Sequence, residues 1–225
     1  MICDGGMASL VAVGLLESRD RVVIWIPPAG SACLDAEGVV VGPAHTDAAE
    51  RFAELFALEQ ADRLDAPHAE RGAAHTPTSF TLWHACKHAL RSGCTTIVWP
   101  VLVGPLPDRL YACRETAHLT ARLAWLSDPL RSGDATPEAA PQILTPLADL
   151  SPKQVAELAL DLDLPTDAVW WSRSANRVAG SPAEVEQARA IWEPALREAQ
   201  RACGFDVEII IPPQQEPPAK RHSRG

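Results

Sequence analysis

The residues best placed to do chemistry stand at the start of the chain. Met1-Ile2-Cys3 is apolar, Asp4-Gly5-Gly6 is a turn, and Ala8 to Val13 carries a helical pattern. A strand-to-helix turn with two glycines presents successive backbone N–H groups at a helix N-terminus. Together with the helix dipole, those donors suit a phosphate or other anion. The residues that would form such a site are Asp4, Gly5, Gly6, Met7 and Ser9. The same turn also reads as an ordinary loop in which Asp4 caps the helix. A second group, Tyr111, Arg114 and Glu115, follows an apolar run ending near residue 101. Arg114 there can pair a substrate carboxylate in a bidentate fork, or Glu115 and Arg114 can belong to surface ion pairs on a helix. His84 and His88 stand four apart, on one face of a helix, a spacing able to grip a metal. No Glu accompanies them in the pattern of a zinc hydrolase, and Lys87 opposes a cation, so no metal site is assigned.

Elements that position these groups alternate along the chain. Val22–Ile26 is a short apolar run closed by Pro27-Pro28, as in a buried parallel strand. The pattern predicts a helix from Asp47 to about Leu58, with Phe52, Leu55 and Phe56 on one face. A second helix is predicted over Ser79–Arg91 with Gly93 as its stop, followed by a strand over Thr95–Val101. Leu110–Leu126 reads as helix, residues 127–142 as a Pro- and Gly-rich connection, and Ile143-Leu144 as a strand. Ser151-Pro152-Lys153-Gln154 and Ser181-Pro182-Ala183-Glu184 are capping boxes with proline at the first helical position. The first starts a helix with Val155, Leu158 and Leu162 inward, and the second a helix to about Cys203, stopped by Gly204. Phe205–Ile211 alternates like an edge strand, and the tail from Pro212 lacks the apolar content to fold.

Strands alternating with helices imply an α/β domain with a mainly parallel sheet flanked by helices. The expected organisation is one domain over residues 1–211 and a disordered tail over 212–225. Ligands of such sheets sit at the carboxyl ends of the strands, which directs attention to the loops after residues 3, 26, 101 and 145. Only three residues precede the glycine turn, fewer than a buried strand usually needs. A shortened first strand or a translation start upstream of Met1 would account for that.

Three stretches together resemble the 7-cyano-7-deazaguanine synthase family of the PP-loop ATP pyrophosphatase superfamily. Asp4-Gly5-Gly6-Met7-Ala8-Ser9 lies where that family has Ser-Gly-Gly-x-Asp-Ser. Thr96–Pro100 running on to Tyr111-Ala112-Cys113-Arg114 is similar to its strand and Tyr-Pro-Asp-Cys-Arg segment. Thr145-Pro146-Leu147-Ala148-Asp149-Leu150-Ser151, followed by Trp171-Ser172, resembles its Thr-Pro-Leu-x-Asp-Leu-Ser/Thr helix and Thr-Trp-Ser-Cys. The order agrees over roughly the first 175 residues. The resemblance implies an adenine nucleotide α-hydrolase-like (Rossmann-like) fold, ATP with Mg2+, and ATP-dependent carbon–nitrogen ligation on a deazaguanine carboxylate. It also implies a homodimer and a structural zinc held by four cysteines.

The departures point the other way. Asp4 replaces the first Ser of the loop, which adds like charge beside a triphosphate, and Ala8 replaces its Asp. Arg173 stands in place of the first zinc cysteine, and no further cysteine run follows, so no zinc is expected. Pro77-Thr78-Ser79-Phe80 and Pro100-Val101-Leu102 lack the polar residues of the corresponding family segments. The alternative is a catalytically inactive nucleotide-sensing or partner-binding module of the same fold.

Composition sets the outer limits. The chain has 225 residues, 47% hydrophobic and 22% charged, enough for a normal core. A net charge of −9 argues against direct nucleic-acid binding and leaves a small molecule or nucleotide as the expected ligand. No apolar run is long enough to span a bilayer and no secretory leader is evident, so the expected location is cytoplasmic. The six cysteines form no C-x-x-C pair and are expected to be free thiols, mostly small core residues.

Overall fold

Parallel pairing between short strands organises the chain. The structure, a computed structural model, describes residues 1–16, 21–31, 39–61, 78–127, 140–172 and 181–204. Strand β1 (Val23–Ile24) pairs in parallel with β2 (Glu59–Gln60), and β3 (Thr96–Val98) pairs in parallel with β4 (Gln142–Leu144). The extended segment Met1–Cys3 lies between the two pairs. Ile2 forms a parallel bridge with Trp25, Cys3 N–H donates to Trp25 O, and Ile2 N–H donates to Val98 O, both at 3.0 Å. The spatial order is therefore β2, β1, Met1–Cys3, β3, β4.

Neighbouring residues on these strands point to opposite faces, as pleating requires. Cys3 and Ile24 join one apolar cluster with α1 (Met7–Gly14), α2 (Pro43–Leu55), α5 (Pro152–Asp161) and α6 (Pro182–Ala202). Ile2, Trp25 and Ile97 join the other, with α3 (Thr78–Arg91) and α4 (Pro107–Leu126). Helices α5 and α6 pack on one another, as do α3 and α4. The chain is thus α/β, with helices covering both faces of parallel strands. None of these helices is long and apolar enough to cross a membrane.

Several boundaries differ from the sequence reading. Helix α2 begins at Pro43 with Gly42 as its N-cap, not at Asp47, because proline presets the first helical turn and the His45 ring accepts from the Gly42 N–H. It ends at Leu55, and the polar pair Glu59–Gln60 forms β2, which nothing in its pattern announced. Helix α4 starts at Pro107, also a proline at the first turn, rather than at Leu110. The strands are shorter than predicted, Val23–Ile24 and Thr96–Val98. The Ser151 capping box forms, with Gln154 N–H donating to Ser151 Oγ at 3.3 Å. Val155 is fully buried behind it, but Leu162 lies past the helix end and is 38% exposed, so it is not an inward residue. Gly93 and Gly204 take positive φ where helices stop. The strand expected over Phe205–Ile211 and the tail over 212–225 lie outside the described residues.

Candidate functional site

The glycine turn is folded around its own carboxylate. Asp4 is completely buried, and its Oδ1 accepts from Gly6 N–H at 3.0 Å and from the Ser9 hydroxyl at 2.8 Å. Asp4 N–H in turn donates to Ser9 Oγ at 3.2 Å, closing a ring of bonds across the turn. An Asp accepting from the N–H two residues on is the Asx turn that this residue type favours. Here it sits before the helix, whose N-cap is Gly6.

A roof covers the turn. Gly5 adopts φ +75°, and a Cβ there would lie 2.6 Å from His45 O and 2.7 Å from Ala48 Cβ. Glycine is needed twice over, for the left-handed backbone and for the approach of α2. Small residues Ala48 and Ala49 on α2 make that approach feasible. From the far side Trp170 N–H donates to Gly5 O at 3.0 Å, and the Trp170 indole stacks on His45 with centroids 3.9 Å apart. Asp4, Gly5, Gly6, Met7, Ala8 and Ser9 are all buried. Two of the donors that a bound phosphate would use, Gly6 N–H and the Ser9 hydroxyl, end on Asp4, and the loop as folded does not fit a triphosphate.

Burial also sets the chemistry of the neighbours. Desolvation drops His45 to about 4, against the opposing pull of the Asp4 charge, so the ring is neutral. Its Nδ1 is the acceptor for Gly42 N–H at 3.1 Å, which fixes the proton on Nε2. Cys3, next to the turn, is pushed up to about 12, chiefly by burial, and is inert as a nucleophile. Cys86 and Cys113 are buried, Cys94 is half-buried and Cys203 exposed, all as free thiols, while Cys33 lies outside the described residues.

The second predicted group is not brought together. Tyr111 is 68% exposed on α4, Glu115 is half-buried, and neither lines the cavity beside Arg114. Arg114 instead lines an open cavity of about 620 Å³ between α4 and β4. The two α3 imidazoles also go separate ways. His84 packs edge-on against Phe80 and Trp83, and burial lowers its pKa, while His88 Nδ1 lies 3.2 Å from Ser92 Oγ. Among the described residues no three His, Cys, Asp or Glu side chains gather as metal ligands.

The remaining stretches of the family pattern serve the core. Leu147 and Ala148 are buried, and Ala148 O accepts from Val103 N–H, tying the loop after β4 to the loop after β3. Trp171 is buried and its carbonyl accepts from Arg189 Nε on α6 at 3.1 Å. His45 and Trp170 are the site residues that sequence reasoning missed. The signal for His45 was Gly42-Pro43, a helix start that places residue 45 in the first turn. No protein-family model matches the chain, and no curated protein matches it.

Proposed function

We propose that this chain is a divergent PP-loop protein whose phosphate cradle is closed by its own carboxylate, leaving a non-catalytic, partner-binding module. The fold part of this reading is an adenine nucleotide α-hydrolase-like, Rossmann-like sheet. It is supported by the spatial order β2, β1, Met1–Cys3, β3, β4, which in chain order runs 3-2-1-4-5. The family part rests on the resemblance to 7-cyano-7-deazaguanine synthases.

One observation carries the functional part: Asp4 Oδ1 occupies the Gly6 N–H and the Ser9 hydroxyl inside a fully buried turn. An anionic side chain held there does what a phosphate oxygen does in an active cradle, and it repels a second anion. ATP with Mg2+ therefore has no seat in this loop, and ATP-dependent carbon–nitrogen ligation is the reading the geometry disfavours. Thermal unfolding with and without ATP and Mg2+ tests this, because only a ligand that prefers the native state raises the midpoint. An unchanged midpoint is expected, with no AMP released on incubation with a carboxylated deazaguanine. AMP release that disappears in a Ser9→Ala variant would restore the enzyme reading.

A further inference from the structure

The cavity between α4 and β4 is lined from the helix by Arg114, His118 and Arg122 and from the strand side by Gln142, Ile143 and Thr145. None of the glycine-turn residues borders it. The three basic-type side chains repeat every fourth residue along one line of α4 and are exposed. Among the described residues none of them holds a hydrogen-bond or ion-pair partner. That is unusual in a chain of net charge −9, where acidic partners abound.

The opposite wall is a strand edge. Strand β4 meets β3 through Gln142 N–H to Thr95 O at 2.9 Å and Trp99 N–H to Leu144 O at 2.8 Å. In a parallel ladder one residue turns both its backbone groups to one neighbour and the next residue turns both the other way. Ile143 N–H and C=O therefore face away from β3, along the outer edge of the strand, and Ile143 also lines the cavity. Along α4 an interval of four residues advances about 6 Å. Alternate side chains of an extended strand advance about 6.6–6.8 Å. A strand laid on this edge would bring every second side chain level with one basic residue of the helix.

We propose that the groove takes an extended acidic peptide segment of a partner protein. The segment adds to the outer edge of β4, which no other strand pairs among the described residues, through Ile143 and sets alternate carboxylates against Arg114, His118 and Arg122. Main-chain pairing supplies affinity in this mode, and the side-chain row supplies specificity. The inference deepens the partner-binding reading above and rests on it.

The probe is a short labelled peptide alternating Glu with Val, titrated with the full chain and followed by fluorescence anisotropy. Saturable binding that weakens as salt rises is expected. Arg114→Ala and Arg122→Ala should each weaken it about tenfold, with unchanged circular dichroism because both side chains are exposed. A peptide with proline at the valine positions, which cannot donate to the strand edge, should bind at least tenfold more weakly. The proposal fails if the Glu-Val peptide does not bind, if the proline or a Lys-Val peptide binds as well, or if neither arginine matters. Tighter binding of a single-stranded oligonucleotide than of the peptide would also overturn it. ATP turnover reports on the glycine turn alone, so a silent peptide assay with no AMP release removes this inference and leaves the closed-cradle reading intact.

Discussion

Replacing Asp4 by alanine tests whether the turn is held closed by its own carboxylate. The substitution removes the acceptor of two buried donors, Gly6 N–H at 3.0 Å and the Ser9 hydroxyl at 2.8 Å. Each donor stranded without a partner costs about 1–3 kcal/mol. Relief of the desolvation of a fully buried carboxyl offsets part of that, for a net loss of about 2 kcal/mol. In a chain of this size such a loss lowers the melting midpoint by roughly 4–8 °C. The informative arm adds inorganic phosphate or sulfate. In Asp4→Ala both donors lose their acceptor, and an anion that takes its place at about 100 times its Kd restores about 2.7 kcal/mol. The natural protein should gain far less from the same anion. Asp4→Asn keeps the shape and one acceptor oxygen, so it should lose less stability and show little rescue. The measurement is a thermal melt of all three proteins with and without phosphate. Equal gains from phosphate in the natural protein and Asp4→Ala would refute the closed cradle.

Three further outcomes follow from the same geometry. Gly5→Ala combines a φ of +75° with a Cβ 2.6 Å from the His45 carbonyl, so it should cost more than the roughly 1–2 kcal/mol of the left-handed backbone alone, read as a lower urea midpoint. His45 is held neutral with its pKa depressed to about 4 from an ordinary 6.5, so the unfolded chain binds the extra proton between those values; stability is full above about pH 6.5 and falls by up to about 3 kcal/mol as pH drops to 4. Urea titrations across that range should show the fall, and His45→Gln should flatten it. Ser151→Ala removes the side-chain acceptor for Gln154 N–H and should cost about 1 kcal/mol by the same titration, with no effect on peptide or phosphate binding.

Much of the fold was legible because local rules govern it. Ser151 and Ser181 announce their helices through capping boxes with proline next, and the apolar runs near residues 24, 97 and 143 do form parallel strands. The misplaced starts of α2 and α4 have one cause: apolar periodicity was followed where a proline at the first turn governs. Strand β2 is a different kind of miss. Glu59–Gln60 is exposed and polar, yet it pairs in parallel with β1. No periodicity records that. The site follows the same division. A glycine turn able to bind an anion could be read directly, and so could the oddity of Asp4 in it.

What the turn binds depends on contacts distant in sequence. His45 stacks with Trp170, and Trp170 N–H in turn reaches Gly5. Neither contact leaves a trace in local spacing. The α4–β4 groove has the same character, since Arg114, His118 and Arg122 become one basic row only when a strand edge lies opposite. At both places local residue types suggest where a ligand could sit, while the tertiary neighbours decide whether the seat is open. Here the motif's own position is sealed by a single acidic side chain. The basic row without a partner among the described residues lies instead along α4 beside β4, which is why the binding experiment belongs at β4 and the anion-rescue experiment at Asp4.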